Sequence, residues 1–242
     1  SAASSDYPLR DVYKRQGSAK AREPMMLKFG TSAFLKLLYQ NAKPQRTTLR
    51  GRVRSGGGKP YDFHRSLRLR VKRRLVAGES LESILSTIGE IARKAERDSA
   101  QNGLEKLEAW RATHSGAISG FSPVTYESPA GLFSVSFSPD FGIQIGPRSV
   151  AAHVWNTKEP ALVEHLTYGA LSLFHPLYEG DGRPDDLAVL SVRDGVLYRL
   201  DDLAKYTALG TELATKIDDV IREVRDELGL PGADEHPPAP RP

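Results

Sequence analysis

Gly131-Leu-Phe-Ser-Val-Ser-Phe-Ser-Pro-Asp-Phe-Gly-Ile-Gln-Ile-Gly-Pro-Arg-Ser-Val-Ala-Ala-His-Val-Trp-Asn-Thr-Lys158 is the stretch in which the hydrophobic period of this chain becomes two. Phe133, Val135 and Phe137 alternate with Ser134, Ser136 and Ser138, and Phe141, Ile143 and Ile145 alternate with Gly142, Gln144 and Gly146. Side chains two apart share one face of a strand, so the alternation predicts two half-buried strands joined through Ser-Pro-Asp. A third strand, Ser149 to Asn156, follows the turn Gly146-Pro-Arg148, and the three read as an antiparallel meander.

Downstream, Pro160 suits the first turn of a helix whose apolar face is Leu162, Leu166, Ala170, Leu173 and Phe174. Leu187 to Val192 is a nearly continuous apolar run, as expected of a strand covered on both sides and joined to the same sheet. Asp194-Gly195 predicts a tight hairpin into Val196 to Leu200. Asp201 or Asp202 then opens a long helix with Leu209, Leu213, Ile217, Ile221, Val224 and Leu228 on its buried stripe, ended by Gly229 and Pro231. The Pro-rich residues 230–242 read as a disordered tail.

Upstream, residues 114–129 are rich in Ser, Gly and Pro and predict a loop. Ser80 caps a long helix carrying Leu81, Ile84, Leu85, Ile88, Ile91 and Ala95, continued past Gly103 to Trp110. Asp62 caps a helix with Phe63, Leu67, Val71 and Leu75 at every fourth position; a strand alternation at Leu67, Leu69 and Val71 is shorter, so the helix is favoured. Arg50 to Pro60, with three consecutive glycines, predicts a flexible loop. Leu27 to Gln40 predicts a further amphipathic helix, closed by Pro44. The fold class is therefore α+β, with a basic helical region at 25–78 and an α+β core at 79–229.

The chain has 242 residues and no cysteine, which excludes disulfides, Cys-based zinc sites and thiol catalysis. The lack of cysteine fits a reducing cytoplasm, and the apolar runs stop well short of the roughly 20 residues that cross a bilayer, so a cytoplasmic protein without a membrane span is expected. Tyr7-Pro-Leu-Arg-Asp-Val-Tyr-Lys-Arg-Gln16 resembles translated adapter sequence, and the only methionines are Met25 and Met26. Residues 1–24 are accordingly read as a non-native or disordered leader.

Pro139-Asp140 opens the second meander strand and Asn156-Thr157-Lys158 closes the third, within the order helix, three strands, helix, strand. This arrangement resembles the PD-(D/E)xK nuclease core over roughly residues 80–200. The resemblance implies that Asp140 holds a divalent metal, that Asn156 stands at the second acid position, and that Lys158 supports the attacking water. A neutral amide brings no charge to a Mg²⁺ site, so loss of the metal and of cleavage is the expectation. The alternative is a Mg²⁺-dependent nuclease with an acid borrowed from Glu159, Glu96, Glu105 or Glu108. Restoring the charge with Asn156→Glu is then expected to rebuild metal binding.

His153, His165 and His175 match no ligand spacing, and His153 lies on the opposite strand face from Asn156. Ser, His and Asp are plentiful without a nucleophile-elbow signature. Trp110 and Trp155 read as core anchors.

Charge divides the chain sharply. Residues 25–74 hold 14 Lys/Arg against the single acid Asp62, a balance of +13, whereas residues 75–242 hold 15 against 26 acids, a balance of −11. Arg46, Arg50, Arg52, Arg54 and Lys59 are placed on the loop, and Arg65, Arg68, Arg70, Lys72, Arg73 and Arg74 on the Asp62 helix. Such a segment predicts phosphate-backbone contacts with DNA or RNA and no strong sequence readout. Neutralising about six phosphates would give a salt slope of roughly −5 on a duplex. The competing readings are a solvated face, a dock of this segment onto the acidic body or a partner protein, and an anionic membrane surface.

Overall fold

The computed structural model describes residues 26–57 and 61–230. The expected leader at 1–24, Lys59 in the expected Gly-rich loop, and the tail beyond Leu230 lie outside them.

The elements run β1 (Leu27–Gly30), α1 (Thr31–Leu38), α2 (Ala42–Arg54), α3 (Arg65–Leu75), α4 (Leu81–Ser86), α5 (Lys94–Thr113), β2 (Ile118–Ser119), β3 (Val124–Glu127), β4 (Phe133–Phe137), β5 (Phe141–Ile145), β6 (Arg148–Trp155), α6 (Glu164–Phe174), β7 (Asp186–Ser191), β8 (Val196–Arg199) and α7 (Leu203–Glu227). The chain is thus α+β, with a long C-terminal helix. That helix starts as expected: Asp202 caps it by accepting from the Lys205 N–H at 3.1 Å.

The strands form two sheets, a three-stranded one in the order β1-β4-β3 and a five-stranded one in the order β2-β5-β6-β7-β8. The expected three-strand meander is corrected here. β5 and β6 pair antiparallel and β7 joins β6 in parallel, but β4 belongs to the other sheet, parallel to β1 and antiparallel to β3. Ser138-Pro139 is where the chain changes sheets. Proline has no N–H to give a ladder, so a strand break there is inexpensive.

Further expectations are corrected. Leu27 to Gly30 is a strand, because Leu27 and Phe29 are buried while Lys28 and Gly30 face out, a period of two fused to the following helix. Pro44 and the Arg50 to Arg54 stretch belong to α2; Pro44 sits in its first turn, where a missing N–H breaks no helical bond. The helix begun by Ser80 stops after Ser86, where the Arg70 guanidinium takes the Thr87 carbonyl and hydroxyl, and α5 starts anew at Lys94. Finally, α6 begins at Glu164 rather than at Pro160, and two short strands, β2 and β3, occupy the expected 114–129 loop.

The five-stranded sheet separates two cores. One holds Phe34, Leu37, Leu49, Phe133, Phe137, Trp155, Phe174 and Ile221, and the other holds Leu67, Val71, Ile84, Leu104, Trp110, Phe141, Val154 and Leu190. Residues 78 and 79 are consequently no packing boundary: α1 and α2 share the first core with β4 and α7, and α3 packs on α5 in the second. Close approach of α3 to α5 explains Gly103 inside a helix, since a Cβ there would meet Leu67 Cδ2 at 2.6 Å.

Candidate functional site

Helix α3 lies on the second core by burying Leu67 and Val71, and this turns Arg65, Arg68, Leu69 and Lys72 toward an open groove of about 800 Å³. Glu96 from α5 and Ser138 and Asp140 from the sheet-crossing segment line the same groove. Tyr61 and Leu69, 56% and 52% exposed, are the large apolar surfaces along it.

Glu96 is buried and accepts from Ser66 Oγ at 2.5 Å and from the Tyr61 hydroxyl. Burial works to raise its pKa, but the two hydroxyl donors outweigh it and hold the carboxyl below its ordinary value. The Arg93 guanidinium lies 4.2 Å from the Tyr61 ring centroid, covering one face of that ring. His64 lies beside this rim. Burial first, and the neighbouring Lys36 charge second, push its imidazole down to about 4.

The three positions selected by the nuclease resemblance separate. Asp140 is 5% exposed, and its Oδ2 accepts the Val154 N–H at 2.7 Å and lies 3.3 Å from His153 Nδ1. Asn156 instead donates from Nδ2 to the Ser99 carbonyl and hydroxyl, at 3.2 and 3.1 Å, on the α5 side of the sheet. Lys158 is exposed beyond the end of β6 and has no ion pair among the described residues. Asp140 therefore sides with His153, on the face opposite Asn156. The Mg²⁺ site implied by the resemblance does not fit these three side chains as arranged.

The basic residues also divide. Arg46 pairs with Glu223 and Glu227 of α7, and Arg50 with Glu227. Arg52 donates to the Lys28 carbonyl and covers the Phe29 ring. Arg68 pairs with Asp62, Arg73 with Glu79, and Arg74 in two-pronged fashion with Glu108. Arg70 is buried on the Ser66 and Thr87 carbonyls. Seven of the ten described candidates are thus engaged within the chain, while Arg54, Arg65 and Lys72 are exposed and without an ion pair among the described residues. The placement of Arg46, Arg50, Arg52 and Arg54 on a loop is corrected as well, since all four lie on α2.

A second constellation joins residues that the sequence keeps far apart. Ser32 Oγ lies 2.7 Å from His153 Nε2, and His153 Nδ1 lies 3.3 Å from Asp140 Oδ2 and 3.4 Å from the Ser138 carbonyl. Ser32 is the partly exposed end of this chain of bonds; His153 is fully buried. No local motif marks Ser32, since Gly30-x-Ser32 is followed by Phe34 where a nucleophile elbow has its second glycine.

No protein-family model matches this chain, and no curated protein matches it.

Proposed function

We propose that the protein binds single-stranded nucleic acid along the α3 groove, without metal-dependent cleavage by Asp140, Asn156 and Lys158. The observation that carries this reading is the pair of cations Arg65 and Lys72, two turns apart on one face of α3 with the Asp62-paired Arg68 between them, set beside exposed Tyr61 and Leu69. Cations that follow a phosphate backbone, next to an aromatic face on which a base can stack, are the elements of sequence-tolerant single-strand recognition. Tyr61 offers the ring face that Arg93 leaves open.

A second reading is favoured by the ion pairs themselves. Arg46 and Arg50 on Glu223 and Glu227, and Arg74 on Glu108, tie the basic segment to the acidic body, as a structural dock would.

The two separate in one experiment. A labelled single-stranded oligonucleotide is competed with the duplex of the same sequence, using the parent and Tyr61→Ala. Nucleic-acid binding predicts preference for the single strand and a loss of about 1 to 3 kcal/mol in Tyr61→Ala. Equal, weak competition by both, unchanged in the variant, supports the dock alone.

A further inference from the structure

We propose that Ser32, His153 and Asp140 form a nucleophilic relay that transfers the acyl group of a carboxylic ester to water. The proposal is independent of nucleic-acid binding, because it does not use the cations of the α3 groove, and of its three side chains only Asp140 lines that groove.

The hydrogen-bond partners fix the tautomer of His153. Its Nδ1 is flanked by two groups that only accept, the Asp140 carboxylate at 3.3 Å and the Ser138 carbonyl at 3.4 Å, so Nδ1 carries the proton. Nε2 of the neutral ring is then left with a lone pair, 2.7 Å from Ser32 Oγ, and accepts the hydroxyl proton. This is the arrangement in which a histidine acts as general base for a serine nucleophile, here with Nδ1 hydrogen-bonded to the Ser138 carbonyl and the Asp140 carboxylate 3.3 Å away as a countercharge to the imidazolium that forms. Asp140 is itself held by the Val154 N–H at 2.7 Å, which keeps its carboxylate beside Nδ1.

Local structure supplies the remaining part. Ser32 is the second residue of α1, and the preceding Gly30 gives no side-chain cap, so the first-turn N–H groups beside Ser32 have no helical acceptor. Helix-terminal N–H groups of this kind are the donors that an oxyanion on a carbon bonded to Ser32 Oγ requires. Lys36, one turn further on the same helix, is half-buried near Trp155, with its Nζ 5.9 Å from the ring, and favours an ester bearing a negative charge.

In the reaction Ser32 Oγ bonds to the ester carbonyl carbon as its proton passes to His153 Nε2. The tetrahedral oxyanion collapses, the carbon–alkoxy bond breaks, and the leaving alcohol takes the proton from Nε2. Water then adds to the seryl ester, giving its proton to Nε2. Release of the carboxylic acid returns that proton to Ser32.

The chain contains no cysteine, which makes Ser32→Cys the sole thiol and a direct reporter of the relay. Two measurements test it on the full chain: labelling of the parent by a fluorophosphonate, and the pH dependence of Ser32→Cys alkylation by iodoacetamide. The relay predicts one phosphonyl group on Ser32, absent in Ser32→Ala. It also predicts an alkylation inflection well below the ordinary thiol value of about 8.5, moved back toward it in Ser32→Cys/Asp140→Asn. Should that double variant fail to fold, the Ser32→Cys profile decides alone. Absence of label on the folded parent, label that persists in Ser32→Ala, or an inflection at the ordinary value would overturn the proposal.

Discussion

Asp140 and Val154 are joined by a hydrogen bond of 2.7 Å from the Val154 N–H to the Asp140 carboxylate, while the Asp140 N–H donates to the Ala152 carbonyl at 2.8 Å. The acid thereby extends the β5–β6 ladder by one step, with its side chain standing in for a backbone carbonyl. Its charge is committed to the strand edge and to His153, and Asn156 points to α5 instead.

Asn156→Glu therefore does not rebuild a metal site. The new carboxylate would be buried against Ser99 and Gly103, since Asn156 is 4% exposed and its Nδ2 already lies 3.1 Å from where a Gly103 Cβ would stand. We expect a loss of about 2 kcal/mol or more in denaturant unfolding and no heat of Mg²⁺ binding in calorimetry. Mg²⁺ binding tighter in the variant than in the parent would restore the nuclease geometry.

His64 makes the fold sensitive to mild acid. Its folded pKa, about 4, lies below the unfolded value of 6.5, so the unfolded chain binds the extra proton. Stability is full above pH 6.5 and falls as the pH drops from there toward 4. The full difference corresponds to about 3 kcal/mol, which solvent screening of this part-exposed ring reduces to about 1 to 2 kcal/mol. The groups facing it are Lys36, Asp62, Arg68 and Glu96. Melting curves between pH 7 and 5 should fall less in His64→Gln than in the parent, and parallel curves would remove His64 as the cause.

Asp218 is a buried acid on the inner stripe of α7 and holds the β3–β4 corner. It accepts from Ser128 Oγ at 2.7 Å and from the Ala130 N–H at 2.8 Å, while Ser128 Oγ in turn accepts from the Leu132 and Phe133 N–H groups. Asp218→Ala leaves this network without its anion, and a cost of about 2 to 4 kcal/mol is expected from chemical unfolding. A change below about 0.5 kcal/mol would mean that water replaces the carboxylate.

What the sequence disclosed was the local periodicity. The four-residue spacing of Leu67 and Val71 located α3, and both are buried; the run Leu187 to Leu190 located β7, and all four are buried; Asp202 located the start of α7. Pairing across the chain was not legible. β1 meets β4 about a hundred residues later, and nothing local marks that four residues fused to a helix belong to a sheet. The same holds for the site. The alternation correctly placed His153 on the face opposite Asn156, and the β5–β6 register, Phe141 opposite Ala152, sets Asp140 beside His153, but Ser32 arrives from 121 residues away. Charge counting could not show that Glu223, Glu227 and Glu108 pair with Arg46, Arg50 and Arg74, because each pairing is likewise long-range.

Because most of those cations are occupied, the electrostatic footprint should be much smaller than the six phosphates that the segment's composition suggests. The direct measurement is the affinity for a labelled single-stranded oligonucleotide, by fluorescence anisotropy, across a series of salt concentrations. With Arg65 and Lys72 each meeting one phosphate, log K should fall against log salt with a slope of about −1.4, and the slope should fall to near zero in Arg65→Gln/Lys72→Gln. A slope near −5 that the double variant leaves unchanged, or no binding at low salt, would contradict the assignment of the α3 groove as the nucleic-acid site.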